Sequence, residues 1–282
     1  MTSTGDKVVI LGGRGMLGSD IADECKKHDV NFTALDLPEF DITNEQQLRA
    51  VIKDAAVIIN CAAYTNVDKA ETETEAAFLV NAEAVGLLGV LARKNDAWVV
   101  HISTDFVFDG ASKRPYIETD IPNPINAYGM SKLAGEKLLI ESRCQHCIIR
   151  LEWTYGKHGD NFVTKLVKRA KEQKQLKVVD DQVGSPTATT EAAKMICELI
   201  LKRPLGLYHF AADGYTSRFD MAKFIFDKLK CPVEVIACKT ADFASPAKRP
   251  LNSRFNCAKI RRLLDKSIVH WQRALEEFLT QL

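Results

Sequence analysis

A tyrosine and a lysine stand four residues apart in Asn126-Ala127-Tyr128-Gly129-Met130-Ser131-Lys132. Residues at that spacing share a helix face, which brings the ammonium beside the phenol. A phenol titrates near 10, so proton donation near neutrality calls for a lowering of roughly two to three units, which a neighbouring cation can supply. The pair is therefore expected to lower Tyr128, which then protonates a carbonyl oxygen as hydride arrives from a nicotinamide, while Lys132 also reaches the nicotinamide ribose. A second hydroxyl should hold the same oxygen. Thr104, in His101-Ile102-Ser103-Thr104-Asp105, ends an apolar run where such a group is needed. The competing reading is a half-buried helix start with a solvated lysine.

The partner of this chemistry lies upstream. Gly12-Gly13-Arg14-Gly15-Met16-Leu17-Gly18 follows the apolar run Val8-Val9-Ile10-Leu11 and precedes an amphipathic segment from Met16 to Lys27. Strand, glycine turn and helix in that order suit a dinucleotide pyrophosphate, because the glycines allow close backbone approach and the helix N-terminus offers amides. An ordinary tight turn is the bland alternative. Asp36, 18 residues beyond Gly18, can accept from the adenosine ribose hydroxyls and repel a 2′-phosphate, favouring NADH. Arg14 can instead pair with a 2′-phosphate, favouring NADPH. The two signals oppose each other, and use of both cofactors is the expectation.

The frame for these residues is a chain of 282 residues, 46% hydrophobic, with 38 basic and 37 acidic side chains and a net charge of +1. That near-balance gives no field for nucleic acid or an anionic membrane and favours a small-molecule substrate. The polar start, Met1 to Lys7, and the expectation that no apolar stretch approaches the roughly 20 residues of a membrane span point to a cytoplasmic protein. Most of the eight cysteines lie in apolar runs, and the Cys144/Cys147 pair reads as packing rather than a redox or zinc site.

Uninterrupted apolar runs at Val8 to Leu11, Asn31 to Leu35, Val57 to Asn60, Trp98 to Ile102 and Cys147 to Leu151 predict strands covered on both faces. Helical stretches separate them, including one opened by Thr43-Asn44-Glu45-Gln46 as a capping box and one from Glu73 to Lys94. The fold class is α/β: a doubly wound parallel sheet of Rossmann type with a smaller, mainly helical C-terminal substrate lobe. Residues 1–151 form the dinucleotide-binding unit and 152–282 the substrate lobe, with 205–212 returning to the main sheet. Helices are expected from Asn161 to Gln173, after Ser185-Pro186-Thr187, from Ser217, and through Trp271 to Leu282, where Trp271 anchors the core.

The motifs, taken in order, resemble the dTDP-4-dehydrorhamnose reductase family of the extended short-chain dehydrogenase/reductase superfamily. The resemblance runs nearly end to end, through Gly12 to Gly18, Asp41-Ile42-Thr43, Asn60-Cys61-Ala62-Ala63-Tyr64-Thr65, Val67-Asp68-Lys69-Ala70-Glu71, Asn81-Ala82-Glu83-Ala84, Ser103 to Gly110, Pro124 to Gly129, Asp181 to Thr187 and Arg249 to Ser253. It implies catalytic roles for Thr104, Tyr128 and Lys132. It also implies a cofactor site of Gly12, Arg14, Gly15, Met16, Leu17, Gly18, Asp36, Asp41, Ile42, Ala62, Ala63, Tyr64 and Lys132. The implied nucleotide-sugar contacts are Val67, Thr104, Asp105, Phe106, Tyr128, Trp153, Asn161, Phe162, Gln182 and Arg249. The implied reaction is reduction of dTDP-4-dehydro-L-rhamnose to dTDP-L-rhamnose by NADPH or NADH.

Two departures bear on the sugar. The family usually has tyrosine where this chain has Phe106, and Arg-Thr-Ser-Trp where this chain has Arg150-Leu151-Glu152-Trp153. A site built around a substrate hydroxyl discriminates strongly when a partner is missing. Some members dimerise around magnesium (Mg2+) through carboxylates, which leaves a homodimer open. Asp20 and Glu191 fall near two such positions, but no third ligand matches, so both read as surface charges and no metal is expected. Two rival functions remain: a nucleotide-sugar epimerase or dehydratase of the same superfamily, and a non-catalytic regulatory subunit resembling the β subunit of methionine adenosyltransferase.

Overall fold

Apolar runs of four to seven residues form the central strands: Val8–Leu11 (β1), Phe32–Leu35 (β2), Val57–Asn60 (β3), Trp98–Thr104 (β4) and His146–Leu151 (β5). The computed structural model describes residues 6–282, so the expectation for the polar start falls partly outside the described residues. The strand Gly206–Phe210 pairs in parallel with β5, giving a six-stranded sheet in the order 206–210, β5, β4, β3, β1, β2. Every pairing is parallel. β1 and β3 are fully buried because helices cover both faces, whereas the edge strand β2 is only partly covered. β1 lies between β2 and β3, so successive connections leave it in opposite directions, and a crevice opens at the strands' carboxyl ends.

Helix Met16–Lys27 (α1) follows the glycine turn directly. Helix Glu45–Ile52 (α2) is capped by Asn44, whose side chain accepts from the Gln47 amide, one residue later than the Thr43 start expected from sequence. The expected 73–94 helix has a break in its hydrogen-bonding pattern. It runs as Thr74–Phe78 (α3), a π turn over Leu79–Glu83, and Ala84–Lys94 (α4). Within the 21 residues Thr74–Lys94 an 18-residue stretch has a mean hydropathy of 1.6, long and apolar enough by composition to cross a membrane, which corrects the expectation that no such run exists. Their apolarity has a local cause: this run packs against α2 and the helix Ala127–Glu141 (α5). The π turn buries Asn81, which accepts from the Tyr64 amide at 2.8 Å and donates to the Ser131 hydroxyl at 3.0 Å.

α5 carries Tyr128 and Lys132, and three features dock it. Asn126 caps it by accepting from the Gly129 amide at 2.7 Å. Gly129 itself lies so close to β4's end that a Cβ there would sit 2.1 Å from the Phe106 carbonyl oxygen. On the buried face, Arg150 of β5 grips Glu136 with two hydrogen bonds, Nε to Oε1 at 2.8 Å and Nη2 to Oε2 at 2.6 Å, while the Ser103 hydroxyl of β4 donates to Oε1 at 2.5 Å.

The second half builds a smaller core. Helix Phe162–Ala170 (α6) starts at the Asn161 cap, Thr189–Lys202 (α7) packs on α1, and Arg218–Leu229 (α8) starts at Ser217, whose hydroxyl accepts from the Asp220 amide at 2.9 Å. A parallel pair, Gln175–Val179 with Glu234–Cys238, was not expected from sequence. Its strands are short and mix exposed with covered positions, leaving no apolar run to read. The C-terminal stretch is two helices, Ala258–Leu264 (α9) and Trp271–Leu279 (α10), because Asp265 takes a left-handed conformation and ends the first. Trp271 is buried edge-on against Phe224, with ring centroids 5.2 Å apart.

Glu136→Gln keeps the shape of the tie but leaves the Arg150 guanidinium, in a side chain 3% exposed, without its counter-charge. Urea unfolding should show a loss of about 3 kcal/mol. A loss below about 1 kcal/mol would mean that this pair does not dock α5.

Candidate active site

The glycine turn is shaped by contact. Gly12 has φ +74°, and a Cβ on it would lie 2.6 Å from the Ala62 amide nitrogen. The N-terminus of α1 faces the crevice, and a backbone cradle without side chains is what a dinucleotide's phosphates need. Asp36 accepts from the amides of Arg14 and Leu37, each at 2.8 Å. The Arg14 guanidinium turns away to Glu39 at 2.7 Å and to the Leu37 carbonyl at 3.0 Å. Among the cofactor residues suggested by sequence, Arg14 alone does not line the crevice, because this exposed ion pair holds it at the rim.

A cavity of about 810 Å³ runs from this turn to the ends of β3 and β4. It is lined by Gly12, Gly15, Met16, Leu17, Gly18, Asp36, Asp41, Ile42, Ala62, Ala63 and Tyr64 at one end. Val67, Thr104, Asp105, Phe106, Tyr128, Lys132, Trp153, Asn161 and Phe162 line the other. A second cavity of about 760 Å³ shares Phe106, Trp153, Phe162 and Arg218 with the first and contains Gln182 and Arg249. Gln182 donates to the Thr240 hydroxyl at 3.1 Å, and Arg249 pairs with Asp68 at 2.8 Å.

At the junction of α5 and β4, Thr104 and Tyr128 meet. The Thr104 hydroxyl donates to Asp105 Oδ1 at 3.1 Å, and its proximity to the phenol pulls the Tyr128 pKa down. Burial and the Asp105 charge act the other way, and the phenol stands at about 12. This corrects the expectation that Lys132 depresses Tyr128. The ammonium instead donates to the Ile102 carbonyl at 2.7 Å and lies 3.5 Å from His101 Nε2, while His101 Nδ1 lies 3.2 Å from the Asn60 side chain. Burial lowers Lys132 to about 8 and holds His101 well below its ordinary value. Sequence reasoning gave no role to the buried Asn60 and His101, whose polar side chains inside apolar runs were the available signal.

Behind Thr104 lies a buried charge cluster. Asp105 accepts from the Ser253 hydroxyl at 2.5 Å, and burial raises its carboxyl to about 6. Glu152 accepts from the Ser185 amide at 2.9 Å and the Phe255 amide at 3.1 Å, and burial together with Asp105 pushes it well above the usual carboxylate range. The Arg218 guanidinium lies 3.5 Å over the Trp153 ring and 4.7 Å from the Phe162 ring. Burial lowers Arg218 to about 9, against the pull of Asp105 and Glu152. Sequence reasoning missed Arg218, although a cation at the first position of a helix, where the dipole disfavours it, is a visible local conflict.

The model of the RmlD substrate binding domain matches residues 6–282. The chain belongs to that family. A member from Salmonella typhimurium, named dTDP-4-dehydrorhamnose reductase, is 36% identical, with 98% of this chain and 97% of that protein aligned. A Streptomyces niveus member, named dTDP-4-keto-6-deoxy-D-glucose reductase, is 34% identical over 96% of each chain. The crystal structure of dTDP-4-dehydrorhamnose reductase from Bacillus anthracis in complex with NADP superposes with a TM-score of 0.94 at 36% identity, covering 98% of this chain and 99% of that one.

Within the RmlD family the two departures now have positions. Phe106 packs edge-on against Tyr128, with centroids 5.6 Å apart, so an apolar edge stands in place of the family's usual tyrosine hydroxyl. Glu152 is buried beneath Trp153 rather than directed into the cleft. Asp20 is buried, with its Oδ2 lacking a hydrogen-bond partner among the described residues, which corrects its reading as a surface charge, while Glu191 pairs with Lys194 at 2.6 Å. No cluster of three candidate metal-binding side chains occurs among the described residues.

Because the folded Asp105 carboxyl is raised from 3.8 to about 6, the native state holds a proton that the unfolded chain releases. Its contribution is fully present below about pH 4 and declines as pH rises through about 6. Asp105→Asn should remove up to about 1 kcal/mol per pH unit of that decline between pH 4 and 6, read from urea midpoints. Identical slopes in the variant and the wild type would show that this carboxyl is not the titrating group.

Proposed function

We propose that this protein reduces the C4 keto group of a nucleotide-linked 6-deoxy sugar with hydride from NADPH or NADH, and that the substrate is dTDP-4-dehydro-L-rhamnose, giving dTDP-L-rhamnose. The observation that carries the reading is the meeting of the Thr104 and Tyr128 hydroxyls in a cavity continuous with the glycine turn. The names of the Salmonella and Streptomyces members support the reaction class, and the NADP complex of the Bacillus anthracis member supports the cofactor. We assign residues 1–151 to cofactor binding and 152–282 to the sugar nucleotide, in a cytoplasmic protein supplied with reduced nicotinamide.

When bound, the cofactor supplies the hydride. The chain supplies the rest: Thr104 holds the carbonyl oxygen, Tyr128 delivers the proton to it, and Lys132, anchored on the Ile102 carbonyl, keeps further donors for the nicotinamide ribose. Trp153 and Phe162 wall the sugar, and Gln182 and Arg249 lie where the nucleotide would extend. The epimerase or dehydratase reading predicts no net use of reduced cofactor. The regulatory-subunit reading predicts a co-purifying enzyme and no keto-sugar turnover, and the intact Thr104, Tyr128 and Lys132 set speaks against it.

Pure protein incubated with NADPH and a panel of nucleotide 4-keto-6-deoxy sugars should consume the reduced-nicotinamide absorbance in step with the 4-hydroxy sugar nucleotide formed. Tyr128→Phe should lower kcat by at least about a hundredfold with little change in cofactor affinity, as removal of a general acid requires. Wild-type turnover in that variant removes Tyr128 from its role, and no net NADPH loss with any sugar overturns the reductase reading.

A further inference from the structure

The two cavities meet at a single cationic side chain, Arg218, bordered by Phe106, Trp153 and Phe162. The guanidinium is held by its flat face on Trp153, 3.5 Å from the ring centroid, so its edges, which carry the N–H groups, stay available. No side-chain hydrogen bond or ion pair of Arg218 occurs among the described residues, although its backbone amide donates to the Gln182 carbonyl at 3.2 Å.

The neighbouring carboxyls do not fill that role. Both oxygens of Glu152 are taken by backbone amides, and those of Asp105 by the Thr104 and Ser253 hydroxyls. The other guanidinium of the second cavity is spent as well, because Arg249 is bound to Asp68, Ser245 and the Ala247 carbonyl. A stacked cation with open donors is a poor structural element and a good anion site, since guanidinium edges match phosphate oxygens. In a nucleotide-sugar whose sugar lies against Thr104 and Tyr128 and whose nucleoside lies in the second cavity, the diphosphate falls at the passage between them.

We infer that Arg218, stacked on Trp153 at this passage, is the residue that binds the substrate's diphosphate. The inference rests on the nucleotide-sugar reading above and goes further by naming the group that separates sugar from nucleoside. It also explains a helix start that tolerates a cation: the ligand's negative charge sits over the N-terminus of α8 and offsets the conflict there.

Calorimetric titration of the NADP+-loaded protein with thymidine diphosphate and with thymidine tests this. Arg218→Met keeps much of the apolar stem and removes the charge, while Arg218→Lys keeps the charge without the fork. The Met variant should lose at least about twentyfold in thymidine diphosphate affinity and less than about threefold in thymidine affinity, and the Lys variant should recover part of the loss. Equal losses for both ligands would make Arg218 a packing residue and overturn the inference alone, as would undiminished diphosphate binding. A wild-type protein that binds neither ligand would overturn the nucleotide-sugar reading and this inference with it.

Discussion

One buried ion pair sets where the chemistry can occur. Glu136 lies on the face of α5 that meets the sheet, and Arg150 and Ser103 reach it from adjacent strands. Burying two charges is costly, and the tie is sustained by paired, well-formed hydrogen bonds plus the Phe108 ring 5.0 Å from the guanidinium. Its consequence is register. With α5 fixed at Glu136 and pressed on the Phe106 carbonyl at Gly129, Tyr128 meets Thr104 at the end of β4, and Lys132 falls against the Ile102 carbonyl. A helix shifted by one residue would turn both side chains by about 100°.

The electrostatics of that junction differ from a simple acid beside a base. Burial dominates, raising the phenol to about 12 and lowering the ammonium to about 8, so each is biased towards its neutral form. Lys132 is directed at backbone and His101, with the crevice on its open side. In the proposed function this separates two tasks. The protein sets the geometry of the acid, and a bound ribose and cofactor charge would bring its raised pKa down. The deeper cluster of Asp105, Glu152 and Arg218 keeps a cation near the sugar end while its carboxyls are biased towards neutrality.

Much of this was legible because it follows from repeated local rules. Val8 to Leu11 and Val57 to Ile59 are uninterrupted apolar runs, which only a strand covered on both faces requires, and the glycines before α1 mark the close approach to Ala62. The Gln175–Val179 and Glu234–Cys238 pair was illegible because each strand mixes exposed with covered positions over only five residues. Tyr128 and Lys132 were legible by spacing, but the direction of the phenol's shift was not. Spacing places the ammonium on the same helix face, while the Ile102 carbonyl that captures it comes from a strand some 30 residues away in sequence. Arg218 escaped for a similar reason, since its meaning depends on Trp153 and Phe162 converging from other elements.

In the proposed function the chain places an inherently weak acid which becomes competent only with its cofactor. Phenolate absorbance, taken as the difference between wild type and Tyr128→Phe across pH, measures it directly. In cofactor-free protein Tyr128 should show no ionisation below about pH 10, and saturating NADP+ should bring its titration down by at least about two units. A Tyr128 phenolate already formed near pH 8 without cofactor, or a titration that the cofactor leaves unmoved, would contradict the account.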